Sequence, residues 1–293
     1  MNMKKIAITT DTNSGMMPGD NADQGVFVLP MPFVIDGECL LESVTLSRED
    51  FYSKLVGGSK VTTAQPSVGE VAEFWTNILK DYDEIVHIPT SSILSNAYST
   101  AKALAEDPEY AGKVHLVNNR RISTALKSSV FDAVTLRDQG KSATEIVETL
   151  EKMYADYSIY LSIETMEYLK RGGRVSPTVA AIGSILKLRP ILQLKGEGLE
   201  KFGMPRTVVK AKELIKAAIA KDFQEKYKDA IEKGEMRICL VYGENPTDGE
   251  NIRPEIEKAF PNVPIMWCDP MSLSVACHTG PNTFAITYMR VIR

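Results

Sequence analysis

The sequence predicts an α/β protein of two α/β domains, the first with a mainly parallel sheet and the second with a mixed sheet. Three observations carry this. The chain has 293 residues, beyond the roughly 250 at which single hydrophobic cores stop growing. Its first half alternates short apolar runs with helix-sized amphipathic segments, the rhythm of parallel strands joined by crossover helices. Its second half sets two apolar runs on either side of Gly196-Glu197-Gly198, a hairpin pattern that brings antiparallel strands into the sheet.

In chain order, Lys5 to Thr10 reads as a buried strand, and Glu84 to Pro89 and Lys113 to Val117 as the next two, because each is a short apolar run flanked by helix-sized stretches. Between the first two, Val71, Phe74, Trp75, Ile78, Leu79 and Tyr82 recur at three- and four-residue spacing, which puts them on one helix face with Trp75 in the core. A further helix opens at Ser142, with Glu145 three residues on to complete a capping box. Ile146, Val147, Leu150, Met153, Tyr154 and Tyr157 form its buried stripe.

The character changes after Tyr157, so the domains are drawn as 1–157 and 158–293. Ser158 to Ile163 is a short strand, Lys170 to Arg174 (K-R-G-G-R) a basic glycine turn, and small-residue helix follows. The hairpin runs Arg189 to Leu194 and Leu199 to Phe202. A long helix extends from about Arg206 into the 220s. Arg237 to Tyr242 is a strand, Thr247 with Glu250 caps another helix, and Val263 to Trp267 and Phe284 to Val291 close the sheet.

Composition narrows the function classes. With 44% hydrophobic and 25% charged residues the chain has the make-up of a folded globular protein rather than a disordered or fibrous one. Thirty-four basic against 38 acidic residues and no basic block disfavour nucleic acid as a partner. Cys39, Cys239, Cys268 and Cys277 are scattered without a C-x-x-C pair, which fits reduced thiols and a cytoplasmic location. The apolar stretch after the N-terminal lysines is too short for a signal peptide, and the uncharged stretch before Arg290 carries His278, Gly280 and two prolines and does not read as a membrane span.

Familiar catalytic motifs are missing: no Walker A loop, G-x-G-x-x-G turn, G-x-S-x-G elbow, H-E-x-x-H or EF-hand loop occurs. No catalytic residue, metal ligand or cofactor is therefore assigned. His87 and His115 sit in apolar strands and read as structural, whereas His278 lies in the polar string C-H-T-G-P. Two hydroxyl-rich segments, Thr62 to Ser67 and Pro89 to Asn96, lead into helices, and the second leaves the C-terminal end of a parallel strand. Free amides and hydroxyls at a helix start favour an anion, although Ser67 and Ser95 also fit plain N-caps.

Taken together, I-A-I-T-T-D-T with Asp11, T-A-Q-P-S at Thr63 to Ser67, S-S-I-L-S at Ser91 to Ser95, K-R-G-G-R-V-S at Lys170 to Ser176 and H-T-G-P at His278 to Pro281 resemble, in order and spacing, the bacterial DegV family. The resemblance spans nearly the whole chain. It implies a fatty-acid carrier similar to FakB-type subunits, which present a bound fatty acid to a separate kinase for conversion to acyl-phosphate, with the acyl chain buried at or near the domain interface. By motif position it implies that Thr63, Ser95, Asn96, His278, Thr279 and Arg171 hold the ligand, and Arg174 and Arg206 are taken as contacts for the kinase. Where the family commonly has T-S-Q-P-S this chain has Ala64, and where it has glycine after the last serine of S-S-x-L-S this chain has Asn96. The lipid cargo leaves room for a transient encounter with a membrane surface.

The chemistry is consistent with a carrier. Removing roughly fourteen methylenes from water at about 0.8 kcal/mol each gives on the order of 11 kcal/mol before association costs. A buried carboxylate then needs donors. The alternative is a serine/histidine acyl-transfer or hydrolase enzyme using Ser95 and His278, which lacks an elbow motif and an acidic orienter.

Overall fold

A computed structural model describes residues 4–174 and 188–293. The chain folds into two compact units, one comprising Met1–Phe51, Lys60–Tyr154 and Ile292–Arg293, the other Tyr52–Ser59 and Ala155–Val291.

In chain order the first stretch carries β1 (Ile6–Asp11), β2 (Val26–Leu29), β3 (Pro32–Ile35), β4 (Glu38–Leu41), α1 (Arg48–Val56), β5 (Val61–Thr63), α2 (Val68–Ile78), β6 (Glu84–His87), α3 (Ala97–Ala105), β7 (Val114–Leu116), α4 (Ser123–Asp138) and α5 (Ala143–Lys152). The main sheet of the first unit runs β2-β1-β6-β7 and every pairing is parallel, with Ile8 opposite Val26 and Val86. Alternation along β1 sends Ile6 and Ile8 to one face and Ala7 to the other. The first face is covered by α4 and α5 through Leu126, Val130, Ile146 and Leu150; the second by α2 and α3 through Val71, Trp75, Ile78 and Ala101. Trp75 is fully buried, as its spacing predicts.

Two features of this unit differ from the sequence reading. The segment between β1 and α2 holds β2 and a separate antiparallel sheet, β4-β3-β5. These strands are three or four residues long and prolines interrupt the apolar run, so no clean period announces them. The Ser142 capping box forms as predicted, but the helix stops at Lys152. Met153 is its C-cap, Tyr154 is exposed, and Tyr157 belongs to the next strand rather than to the helical stripe.

The second unit continues with β8 (Tyr157–Ser162), α6 (Glu167–Gly172), β9 (Ile191–Lys195), β10 (Gly198–Gly203), α7 (Val208–Glu225), α8 (Lys228–Glu232), β11 (Met236–Tyr242), α9 (Pro246–Ala259), β12 (Ile265–Pro270), α10 (Leu273–Thr279) and β13 (Phe284–Arg290). Its sheet is mixed, in the order β10-β9-β8-β13-β11-β12; among the described residues only β11 and β12 pair in parallel there. The hairpin predicted around Gly196-Glu197-Gly198 is β9–β10, with Lys195 paired to Gly198. Ala211, Ile215, Ile219 and Phe223 recur every fourth residue of α7 and pack into the core with Ile238, Ile252 and Ile286.

Local caps correct two boundaries. The long helix begins at Val208 under an N-cap from Thr207, whose hydroxyl accepts from the Lys210 N–H at 3.1 Å, so Arg206 lies outside it in the preceding bend. Thr247 does not cap α9; Asn245 does, accepting from the Thr247 N–H at 3.1 Å with Pro246 in the first turn. Asparagine followed by proline is a stronger helix start than threonine two residues on, because proline needs no amide partner there. The small-residue helix expected after Arg174 lies outside the described residues. Among the described residues no helix is long and apolar enough to cross a membrane.

Candidate functional site

In the first unit, the strand order β2-β1-β6-β7 places a topological switch between β1 and β6, where the chain leaves the sheet in opposite directions. Open parallel sheets bind ligands outside the carboxyl ends of their strands at such a switch. Here those ends carry Asp11 on β1 and the Pro89 to Asn96 loop after β6.

Asp11 holds the two ends together. Its carboxylate is buried and accepts from the Asn13 N–H at 2.9 Å and from the Thr90 N–H at 2.7 Å. Burial pushes its pKa up to about 6 against the pull of these two amides. Thr10 donates to the Ile88 carbonyl at 2.8 Å. Beyond Thr90, the Ser91 carbonyl accepts from both Leu94 and Ser95 amides at 3.0 Å, and Ser92 donates to the Asn118 side chain at 2.7 Å. The loop that presents Ser95 is thus held from within and from both neighbouring strand ends.

The two hydroxyl-rich helix starts then part company. At α2 the capping box is closed: Ser67 accepts from the Glu70 N–H at 3.2 Å, and the Glu70 carboxylate accepts from both the Ser67 amide and its hydroxyl at 2.7 Å. The chain's own carboxylate occupies the place an anion would take, and these contacts hold the Glu70 pKa below the usual carboxylate range. At α3 no such closure exists. Asn96 is exposed and makes no side-chain cap bond; Ser95 accepts from the Ala97 N–H at 3.2 Å, and among the described residues its own hydroxyl proton has no acceptor. Asn96 has φ −80°, so the backbone here does not demand glycine. Thr63 ends β5, half-buried opposite Phe33. Two residues on, Gln65 donates to Thr100 of α3 at 2.9 Å and ties the two loops together.

Below these starts lies a cavity of about 10 Å³ lined by Asp11, His87, Leu29, Val71 and Ala101, the size of one water and far short of an acyl chain. His87 is structural: buried, 2.7 Å from the Thr9 hydroxyl through Nδ1, edge-on to Trp75, with its pKa pushed down to about 3 by burial. His115 pairs with Glu84 at 3.4 Å.

In the second unit α6 packs on α10, bringing the K-R-G-G-R and H-T-G-P strings together. Gly173 ends α6 with φ 65°, a left-handed cap that favours glycine. The Arg171 guanidinium lies 5.6 Å from the Tyr168 ring centroid, and Arg174 donates to the Gly172 carbonyl at 2.7 Å; both arginines are exposed. His278 is half-buried in the last turn of α10, and burial, with the nearby Arg174 charge, lowers its pKa to about 4, so the ring is neutral at neutral pH. Thr279 is buried and its hydroxyl donates to Met271 Sδ at 3.2 Å. Arg206 is exposed. No group of three or more His, Cys, Asp and Glu side chains with metal-binding geometry occurs among the described residues.

Sequence reasoning missed the supports behind these residues: Asp11 as the clamp on Thr90, and the segment after β7. There Arg121 is fully buried and donates to the Met153 carbonyl at 2.7 Å, while Arg120 is held at φ 56° over the Tyr154 ring. An aspartate at the end of the first strand was the available signal for the former.

The family model described as "Uncharacterised protein, DegV family" matches residues 5–291. A DegV domain-containing protein of Caldanaerobacter subterraneus subsp. tengcongensis is 30% identical over 258 residues, 88% of each chain. One of Streptococcus pneumoniae is 27% identical over 293 residues, covering 98% of this chain and all of the relative. Among solved structures, that described as "Fatty Acid Binding of a DegV family Protein from Thermus thermophilus" superposes with a TM-score of 0.86 at 25% identity, covering 98% of this chain and 100% of the other. A stearic-acid-binding protein from Eubacterium ventriosum shares the fold with a TM-score of 0.86 at 20% identity, over 97% and 98% of the two chains.

Proposed function

The chain belongs to the DegV family, and on that premise we propose that it carries a long-chain fatty acid and presents it to a separate kinase for conversion to acyl-phosphate. The observation that carries the reading is the α3 start: a helix N-terminus whose N-cap residue, Asn96, makes no side-chain cap bond, with Ser95 beside it on a loop clamped at the carboxyl ends of two parallel strands. Amides at a helix start and a hydroxyl with an unspent proton suit a carboxylate. Thr63 is the third donor of that unit. In the second unit Arg171 supplies a fixed charge, and Thr279 and His278 are the remaining head-group residues, His278 as a neutral donor. The fatty-acid binding of the Thermus thermophilus relative supports the cargo class. Arg174 and Arg206, both exposed, are the proposed contacts for the kinase. The protein works in the cytoplasm and catalyses no step of its own.

Native mass spectrometry of the purified chain, followed by lipid extraction, tests this. About one noncovalent fatty acid per chain is expected. Repeated absence of acyl lipid, with no rise in melting temperature on adding fatty acid, ends the carrier reading, since ligand at 100 times its Kd adds roughly 2.7 kcal/mol of stability. An ester on Ser95 would establish the acyl-enzyme alternative instead.

A further inference from the structure

We propose that Gly172 is a positioning residue: its bare Cα on α6 is the seat of the His278 ring, and this glycine fixes which edge of the imidazole faces a bound head group. The inference rests on the carrier reading for the role of His278, and adds a residue to it.

The two glycines of the K-R-G-G-R string are there for different reasons. Gly173 needs its left-handed backbone, and a Cβ built on it would meet nothing within 4 Å. Gly172 is the reverse case. It sits in the last turn of α6 without a left-handed φ, yet a Cβ there would lie 1.8 Å from His278 Nδ1, 2.6 Å from Cε1 and 3.0 Å from Cγ. Carbon and nitrogen that are not bonded do not approach so closely, so any side chain at 172 displaces the ring. What occupies the missing side chain's place is the Nδ1 edge of the imidazole, and Nε2 lies on the far side of the ring.

The fit is reciprocal. Gly280, just after α10, has a φ of 83° that already favours glycine, and a Cβ there would also meet Tyr168 Cδ2 and Cε2 of α6 at 2.6 Å. Each segment therefore lies bare where a ring from the other packs. Local bonds hold each backbone in shape. The Gly280 N–H donates to the Ala276 carbonyl at 2.8 Å, Thr283 donates to the Thr279 carbonyl at 2.9 Å, and Arg174 holds the Gly172 carbonyl at 2.7 Å. With each backbone held in shape, an added methyl at 172 is expected to be accommodated by rotating the His278 side chain out of its seat.

The test is a double-substitution cycle on the full chain, with oleate as the probe for affinity and thermal melting for stability. Gly172→Ala is expected to weaken oleate binding by roughly 10- to 100-fold, the same loss as is expected of His278→Ala. In the His278→Ala background, where the seat is empty, Gly172→Ala is expected to change affinity no further and to keep or raise the melting temperature, since alanine suits a helix better than glycine. The His278 ring-proton resonances report position directly: they should move in Gly172→Ala and stay in place in Arg206→Ala. Wild-type affinity in Gly172→Ala, or a loss that persists undiminished without the histidine, overturns the proposal. Wild-type affinity in His278→Ala overturns the head-group reading of the histidine instead, and failure of the wild-type chain to take up oleate at all overturns the carrier reading.

Discussion

Ser67→Ala and Ser95→Ala should have opposite consequences, although both serines stand at the start of a helix in a similar hydroxyl-rich string. Ser67 makes two bonds with Glu70, accepting from its amide at 3.2 Å and donating to its carboxylate at 2.7 Å. Losing an N-cap of this kind costs about 1 kcal/mol, within a range of roughly 0.5 to 2. Ser95 makes one, with the Ala97 amide at 3.2 Å, so its removal should cost about 0.5 kcal/mol of stability, the low end of the same range. Affinity should reverse the order. Ser95 donates to the ligand carboxylate in the proposed complex, and a hydrogen bond to a charged group contributes roughly 1.5 to 3 kcal/mol, which is on the order of 10- to 150-fold in Kd. Ser67, spent on Glu70, should leave affinity unchanged. Guanidinium unfolding followed by tryptophan fluorescence reads the first quantity, because Trp75 is buried on α2 itself; a Trp267→Phe background isolates its signal from the second unit. Fatty-acid titration reads the second. If Ser95→Ala loses stability and keeps its affinity, as Ser67→Ala should, then Ser95 is a cap and the site at α3 is wrong.

Three further outcomes follow from charge and burial. Asp132 is buried, with one oxygen accepting from the Ile292 N–H at 2.8 Å and the other without a hydrogen bond, and burial raises its pKa to about 6. A raised carboxyl contributes stability that is complete below the unfolded value near 4 and lost as pH rises through 6, so Asp132→Asn should be more stable than wild type by roughly 2 to 3 kcal/mol at pH 8, with the advantage fading toward pH 4; equal denaturation midpoints at pH 8 would contradict it. His87, lowered to about 3 by burial, has the opposite sign: its contribution is present above the unfolded value near 6.5 and is lost as pH falls toward 3, at up to about 1.4 kcal/mol per pH unit, so its ring resonances should not titrate between pH 5 and 8 while stability declines. Arg206→Ala should bind fatty acid like wild type but slow acyl-phosphate formation in a mixture with kinase, ATP and magnesium, with a weaker salt dependence of the encounter; equal rates for wild type and the variant would remove this arginine from the mechanism.

The sequence by itself determined the elements whose signals are local. Strand β6, the Trp75 helix, the Ser142 capping box, the β9–β10 hairpin and the apolar stripe of α7 are each written in a period or a cap that neighbouring residues complete. The five short strings, taken in order, likewise carried the family. What only the tertiary structure decided were the partners. A buried strand looks the same at the edge or the centre of a sheet, so the last strand, β13, gave no sign that it sits between β8 and β11. Two serine-rich helix starts look alike until Glu70 is seen closing one and Asp11, 79 residues from Thr90, is seen holding the loop before the other. The doubled glycine of K-R-G-G-R reads as one flexible turn, yet one glycine answers to backbone dihedral and the other to a ring more than a hundred residues away. Periodicity records whether a side chain is buried, and cannot record against what, because that depends on contacts between segments distant in the chain.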